Sequence, residues 1–177
     1  TAGTGFWRAE KAQPAAGDMP VTQVVVATEG FFASFGIPLK RGTTFAPAYD
    51  QNAPLVAVVN ETLARKHFPG EDAVGKLLRV QWGDGDPVYR IVGIAGDTRH
   101  AGLKEEPRPM VYLSMAQLPS GYVNLIVRTP GQAMALAPSV LREIQKMDAG
   151  LAVADVRPME ELRTRAVGEP RFQAVLL

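Results

Sequence analysis

Cysteine is absent from this 177-residue sequence. That excludes disulfide frameworks, thiolate metal sites and cysteine nucleophiles, and it leaves the redox compartment open. Histidine occurs only at His67 and His100, too far apart to form a close-spaced ligand pair for zinc. Neither charge sign dominates, with 19 Lys and Arg against 18 Asp and Glu. A nucleic-acid binder needs a basic excess to neutralise phosphates, so none is expected as a partner. No apolar stretch approaches the about 18 to 20 residues that span a bilayer. There is no charged-then-apolar leader and no Gly-x-x-x-x-Gly-Lys-[Ser/Thr] phosphate loop.

What is present is enough apolar material, 46% of residues, to bury a core and exclude global disorder. The length suits one ordinary domain or two small ones. The sequence runs from Thr1 to an apolar tail, Phe172 to Leu177. The expectation is a segment of a longer protein that stops where a membrane helix begins; a terminal helix docking its apolar face on the core is the alternative.

Read for local structure, 6–10 is a short strand and 11–20, with Pro14, Gly17 and Pro20, is a loop. The β-branched 21–28 is a strand. Phe31, Phe32 and Phe35 share the spacing of a helical face, and Gly36 with Pro38 ends that turn. Leu55 to Val59 is apolar throughout and suits a strand buried on both faces. Asn60 then serves as a helix N-cap, because its side chain accepts from a free first-turn amide. Glu61 favours the positive end of that helix, which Pro69 and Gly70 close. Segments 75–80 and 87–94 flank Gly83-Asp84-Gly85-Asp86, a β-hairpin pattern. Further strands are expected at 110–113, 122–129 and 151–156. Ala137, Leu141, Ile144 and Met147 follow helical spacing, with Pro138 near the first turns. Pro158 fits the first position of a last helix, with Glu160 and Glu161 in its acidic first turn and Met159, Leu162 and Ala166 on its buried side.

Candidate chemistry is sparse. Gly83 to Asp86 superficially resembles a calcium loop but lacks the dozen-residue ligand pattern and closing Glu; a turn accounts for it. Asp97, Arg99 and His100 follow β-strand material and are the candidates for a partner-facing loop, since loops at strand ends carry function. The plainer reading is a polar exit loop with Asp97 capping a turn. Glu105-Glu106 and Glu160-Glu161 are sequence neighbours that point apart on a helix. The Phe31, Phe32, Phe35 group reads as core packing rather than an exposed docking patch. No catalytic, cofactor or metal residue is assigned.

Three stretches carry a family resemblance. FFASFGIPLKRG at 31–42 with Phe45, VAVVNETLARKHFPG at 56–70 with Gly75-Lys76, and IVGIAGDTRHAGL at 91–103 with PRPMVYL at 107–113 resemble the MacB-type and FtsX-like ABC transporter permeases. Met159 to Leu162 and Arg171-Phe172 match the end of the same region. The resemblance spans about 20–177; the motifs are specific together and weak singly.

The resemblance implies an extracytoplasmic (periplasmic) domain of a bacterial inner-membrane protein, held between membrane helices. It implies an α+β fold of two lobes: a βαβ-type porter-like lobe from 1–41 and 118–177, incomplete at its N-terminus, and an inserted sabre-like lobe from 42–117 of short strands and a small helix. Family members carry a strand and a long helix before the Thr1 region. Without them a sheet edge is expected to be open, to be hidden by pairing or swapping with another copy. The implied partners are the membrane helices of the same chain, a second permease copy, a cytoplasmic ATPase and a periplasmic adaptor, with no cofactor in this domain. The implied function is non-catalytic: coupling ATP-driven conformational change to efflux or lipoprotein movement outside. A module that senses a peptide or antibiotic is the alternative, and a small enzyme using Asp97 and His100 stands third.

Overall fold

The computed structural model describes residues 2–82, 85–98 and 106–161. The chain divides into two compact units, Thr1–Ile126 and Val127–Leu177.

The first unit holds β1 (Ala2–Arg8), β2 (Val21–Ala27), α1 (Phe31–Phe35), β3 (Leu39–Gly42), β4 (Val56–Asn60), α2 (Glu61–His67), β5 (Leu77–Val80), β6 (Val88–Ala95) and β7 (Met110–Ser114). Their order in the sheet is β3-β6-β4-β7-β2-β1-β5. A further β5–β6 pairing joins the ends, so six strands close into a mixed, barrel-like ring. Here β2–β7 and β4–β6 are parallel. The other contacts in the ring are antiparallel. Closure gives each strand of the ring a neighbour on both sides; β3 lies outside the ring and, among the described residues, pairs with β6 alone.

One edge of β6 serves two partners. Its first half pairs with β5, Leu77 opposite Arg90 and Arg79 opposite Val88. Its second half takes β3, Leu39 opposite Ala95 and Gly42 opposite Gly93. Gly42 has φ of 71°, a left-handed conformation that glycine adopts without a Cβ penalty. A Cβ on Gly93 would overlap the Thr43 carbonyl, so the close passage of β3 over β6 needs a bare backbone there.

Alternation along the strands sends side chains to two cores. Phe6, Val24, Ala57, Leu78, Ile91 and Val111 belong to one buried cluster, to which each strand of the ring contributes; this cluster fills the ring. Leu63 and Phe68, from α2 and its end, join it. Val56, Val58, Tyr112 and Ala27 face the other way, under Phe32 of α1 and Phe45. Hence β4 is buried at every position, as its continuous apolar run predicts. Phe32 is buried against Tyr112 with ring centroids 4.9 Å apart, while Phe35 stays 42% exposed. The phenylalanine group is thus core on one side only.

Most expected elements form, with specific differences. The 6–10 strand is displaced towards the N-terminus, as β1. Strands expected at 122–129 and 151–156 are absent: the backbone there has no ladder partner among the described residues. Tyr122, Leu125 and Leu151 are exposed. β-propensity supplies no strand without a neighbour to complete its hydrogen bonds. On the N-terminal side β1 pairs with β2 on one side and β5 on the other, while β3 ends the sheet, paired with β6 alone among the described residues. The strands of 1–41 and those of 42–117 share this one sheet. Within residues 1–41, β1 and β2 are antiparallel.

In the second unit, α3 (Ala133–Met147) forms with Pro138 inside it. None of its residues is fully buried. Its apolar positions Ala137, Val140, Leu141 and Ile144 are half-buried. A helical turn begins at 159–161 after Pro158. Leu162, Ala166, Arg171-Phe172 and the apolar tail lie outside the described residues.

Candidate functional site

The C-terminal end of β4, the first turn of α2, the exit of β6 and the entry of β7 meet around Asn60. This side chain is fully buried and fully used. Its Oδ1 accepts from Leu63 N at 3.0 Å, the expected N-cap bond, and from Met110 N at 2.9 Å. Its Nδ2 donates to Asp97 Oδ1 at 2.7 Å and to the Arg108 carbonyl at 2.9 Å. A buried amide pays its desolvation cost back only when its donors and acceptors are matched, and here they are.

Asp97 completes the arrangement. Besides Asn60, its Oδ1 accepts from Thr62 N at 2.9 Å and its Oδ2 from Thr62 Oγ1 at 2.8 Å. A carboxylate at the start of α2 also suits the positive end of the helix dipole. Asp97 therefore caps, but not a turn of its own exit loop: it caps a helix distant in sequence. Both of its oxygens are committed to positioning. Beside it, Thr98 Oγ1 lies 3.5 Å from the Tyr112 hydroxyl. Burial pushes the Tyr112 hydroxyl pKa up, and the Asp97 charge adds to this. Of the three loop candidates, the structure places only Asp97; Arg99 and His100 lie outside the described residues, as do Gly83, Asp84 and Glu105. Asp86 takes φ of 50°, which fits the turn reading of the 83–86 segment between β5 and β6.

His67 closes α2 with its ring edge-on to Phe6, centroids 4.6 Å apart. Burial, helped by the Lys66 charge, lowers its pKa and so disfavours the charged form. It is a packed helix-face residue, as expected. Among the described residues, no three histidine or acidic side chains gather as a metal site.

Gln117 went unnoticed in the sequence. Its Oε1 accepts from Val56 N at 3.0 Å and its Nε2 reaches the Asp50, Ala53 and Pro54 carbonyls at 3.2, 3.3 and 3.0 Å. It ties the chain leaving β7 to the loop entering β4. No local pattern announces such a residue, since its partners lie some 60 positions away.

These features describe a scaffold held by buried amides and a capping carboxylate. The family model of the MacB-like periplasmic core domain matches residues 5–146. The chain belongs to that family. The MacB-like domain is the periplasmic or extracellular region of a membrane ABC-type permease. No helix among the described residues is long and apolar enough to cross a membrane. No curated protein sequence matches the chain.

Three solved structures share the fold at low identity. The periplasmic region of MacB from Actinobacillus actinomycetemcomitans is 12% identical, with TM-score 0.53, covering 83% of this chain and 67% of that one. A domain of a putative permease from Porphyromonas gingivalis is 19% identical, with TM-score 0.51, covering 92% and 82%. The extracellular domain of the noncanonic ABC-type transporter YknZ from Gram-positive bacteria is 12% identical, with TM-score 0.51, covering 83% and 75%.

Proposed function

We propose that this MacB-like domain is a non-catalytic coupling element, without a cofactor of its own. In this reading ATP-driven closure at a cytoplasmic ATPase moves the membrane helices. The extracytoplasmic domains of two permease copies then rock together and apart, moving cargo or a lipoprotein, with an adaptor docked outside. The observation that carries the reading is the match to the family's periplasmic core domain over residues 5–146. The commitment of both Asp97 oxygens to α2 supports it against a hydrolytic role for that residue.

The lobes belong to this proposal. The six-strand ring with its cap would be the rigid body. The amphipathic α3 and the apolar segments 122–129 and 151–156 would belong to the porter-like lobe and gain their sheet partners from other residues of the intact permease. Completing that lobe would give the rocking motion a stiff connection to the membrane helices.

These 177 residues hold no cysteine, so with any cysteine elsewhere in the transporter replaced, a single introduced thiol can be labelled. A spin label on Glu29→Cys, an exposed position, reports the distance between two copies in the intact transporter. The distance distribution is expected to shift between nucleotide-free and vanadate-trapped states. Identical distributions, with ATP turnover intact, overturn the coupling role.

A further inference from the structure

A groove of about 450 Å³ opens beside the ring, between the end of β1, the loop that follows it and the C-terminal end of α2. Its apolar lining includes Phe6, Trp7 and Pro20, and its polar lining includes Lys11, Lys66 and His67. Arg8 and Glu71 also reach it, but they are engaged with each other through bonds of 2.8 and 3.1 Å.

The lysines stand apart. Lys40 is paired with Glu61, Lys76 with Glu71 and Lys146 with Glu143. Lys11 and Lys66, both exposed and both at this groove, make no ion pair among the described residues. Their charges face solvent beside this apolar lining, and the carboxylate that reaches the groove among the described residues, Glu71, is held by Arg8 and Lys76. An anionic ligand with an apolar portion would meet both needs at once: charge complementarity at the rim steers and orients it, and contact with the floor removes apolar surface from water.

The geometry points to this groove as a docking site for an acidic peptide segment of a partner protein. The segment lays an apolar side chain against the part-exposed Pro14 and Pro20 and sets carboxylates beside Lys11 and Lys66. The hollow is concave, so a planar lipid surface meets the lysines at its rim without reaching its floor; an extended chain enters it. The site stands independently of the coupling role, since it rests only on the groove's own residues.

The test uses a fluorescein-labelled octapeptide of alternating glutamate and phenylalanine, titrated with the 177-residue chain at low salt and followed by anisotropy. Saturable binding below about 1 mM is expected, weakening at high ionic strength. In the double variant Lys11→Glu/Lys66→Glu binding falls at least about tenfold, while Lys11→Arg/Lys66→Arg retains it. These side chains are exposed, and unchanged thermal melting confirms that the variants fold. No saturable binding, or equal affinity in the charge-reversed variant, overturns the proposal. Phosphatidylglycerol vesicles run in parallel are expected to leave the protein in the supernatant; sedimentation abolished by the same charge reversal would assign the lysines to a membrane surface instead and also overturn it.

Discussion

Asn60 Nδ2 stands 2.7 Å from Asp97 Oδ1, and this contact joins the first turn of α2 to the exit of β6. Neither residue is replaceable by an isostere without loss. Asn60→Asp keeps the acceptor for Leu63 N and Met110 N but sets an oxygen against the Asp97 carboxylate and the Arg108 carbonyl. It is expected to destabilise by about 2 to 4 kcal/mol, since a buried mismatch costs more than a lost bond. Asp97→Asn alone should cost about 1 to 2 kcal/mol. The double variant restores a donor between the positions, so denaturant melts should give a coupling energy above about 0.5 kcal/mol. Strict additivity would show that the contact carries no energy.

Arg8 and Lys76 both hold Glu71, Arg8 through the larger effect, and lower its carboxyl pKa to about 2 from an ordinary 4.5. A depressed carboxyl contributes stability that is present above its unfolded pKa and lost as pH falls through the folded one. The stability advantage of the native chain over Glu71→Gln should therefore be constant near neutrality and shrink between pH 4.5 and about 2. Glu71 is solvent-exposed, so the effect is screened. Urea midpoints for both chains across that range measure it, and parallel pH profiles would contradict it.

Tyr89 is buried inside the ring with its hydroxyl unpaired among the described residues. Removing an unsatisfied buried hydroxyl relieves a desolvation cost. Tyr89→Phe is expected to leave stability unchanged or raise it by about 1 kcal/mol. A drop larger than that in calorimetry would mean that the hydroxyl has a partner.

Gly93→Ala forces a methyl group onto the Thr43 carbonyl, a backbone atom that cannot swing aside. The expected result is a loss of about 2 to 4 kcal/mol, or detachment of β3 from β6. Hydrogen exchange of the Thr43 amide, bonded to Val92 O at 2.9 Å, distinguishes the two. Gly70→Ala, where the added methyl would meet open space but φ is 73°, should cost only about 1 kcal/mol.

Much of the first unit was legible along the chain because its signals are local. The apolar 56–59 run, the Asn60 cap, the glycine that ends α1 and the turn residues before β6 each act within a few positions. The Asp97 role was half legible: its capping chemistry follows from residue type, but its helix does not. Gln117 was illegible, and so was the fate of 122–129, where an apolar, β-branched stretch finds no strand to join among the described residues. Of the candidate loop, Asp97 bonds to Thr62 at the start of α2, and the groove at Lys11 and Lys66 left no mark in the motifs at all.

By itself, then, the sequence determined the element types, the both-faces burial of β4, and a family whose motifs the core domain shares. The tertiary structure decided that β1 closes against β5 to make a ring, that Asp97 belongs to α2, and that two lysines distant in sequence share one hollow. The physical reason is range. Propensity, capping and turn chemistry act over one helical turn or one hairpin, whereas ring closure and charge pairing depend on which distant backbone edges and side chains the packed core brings within hydrogen-bond reach.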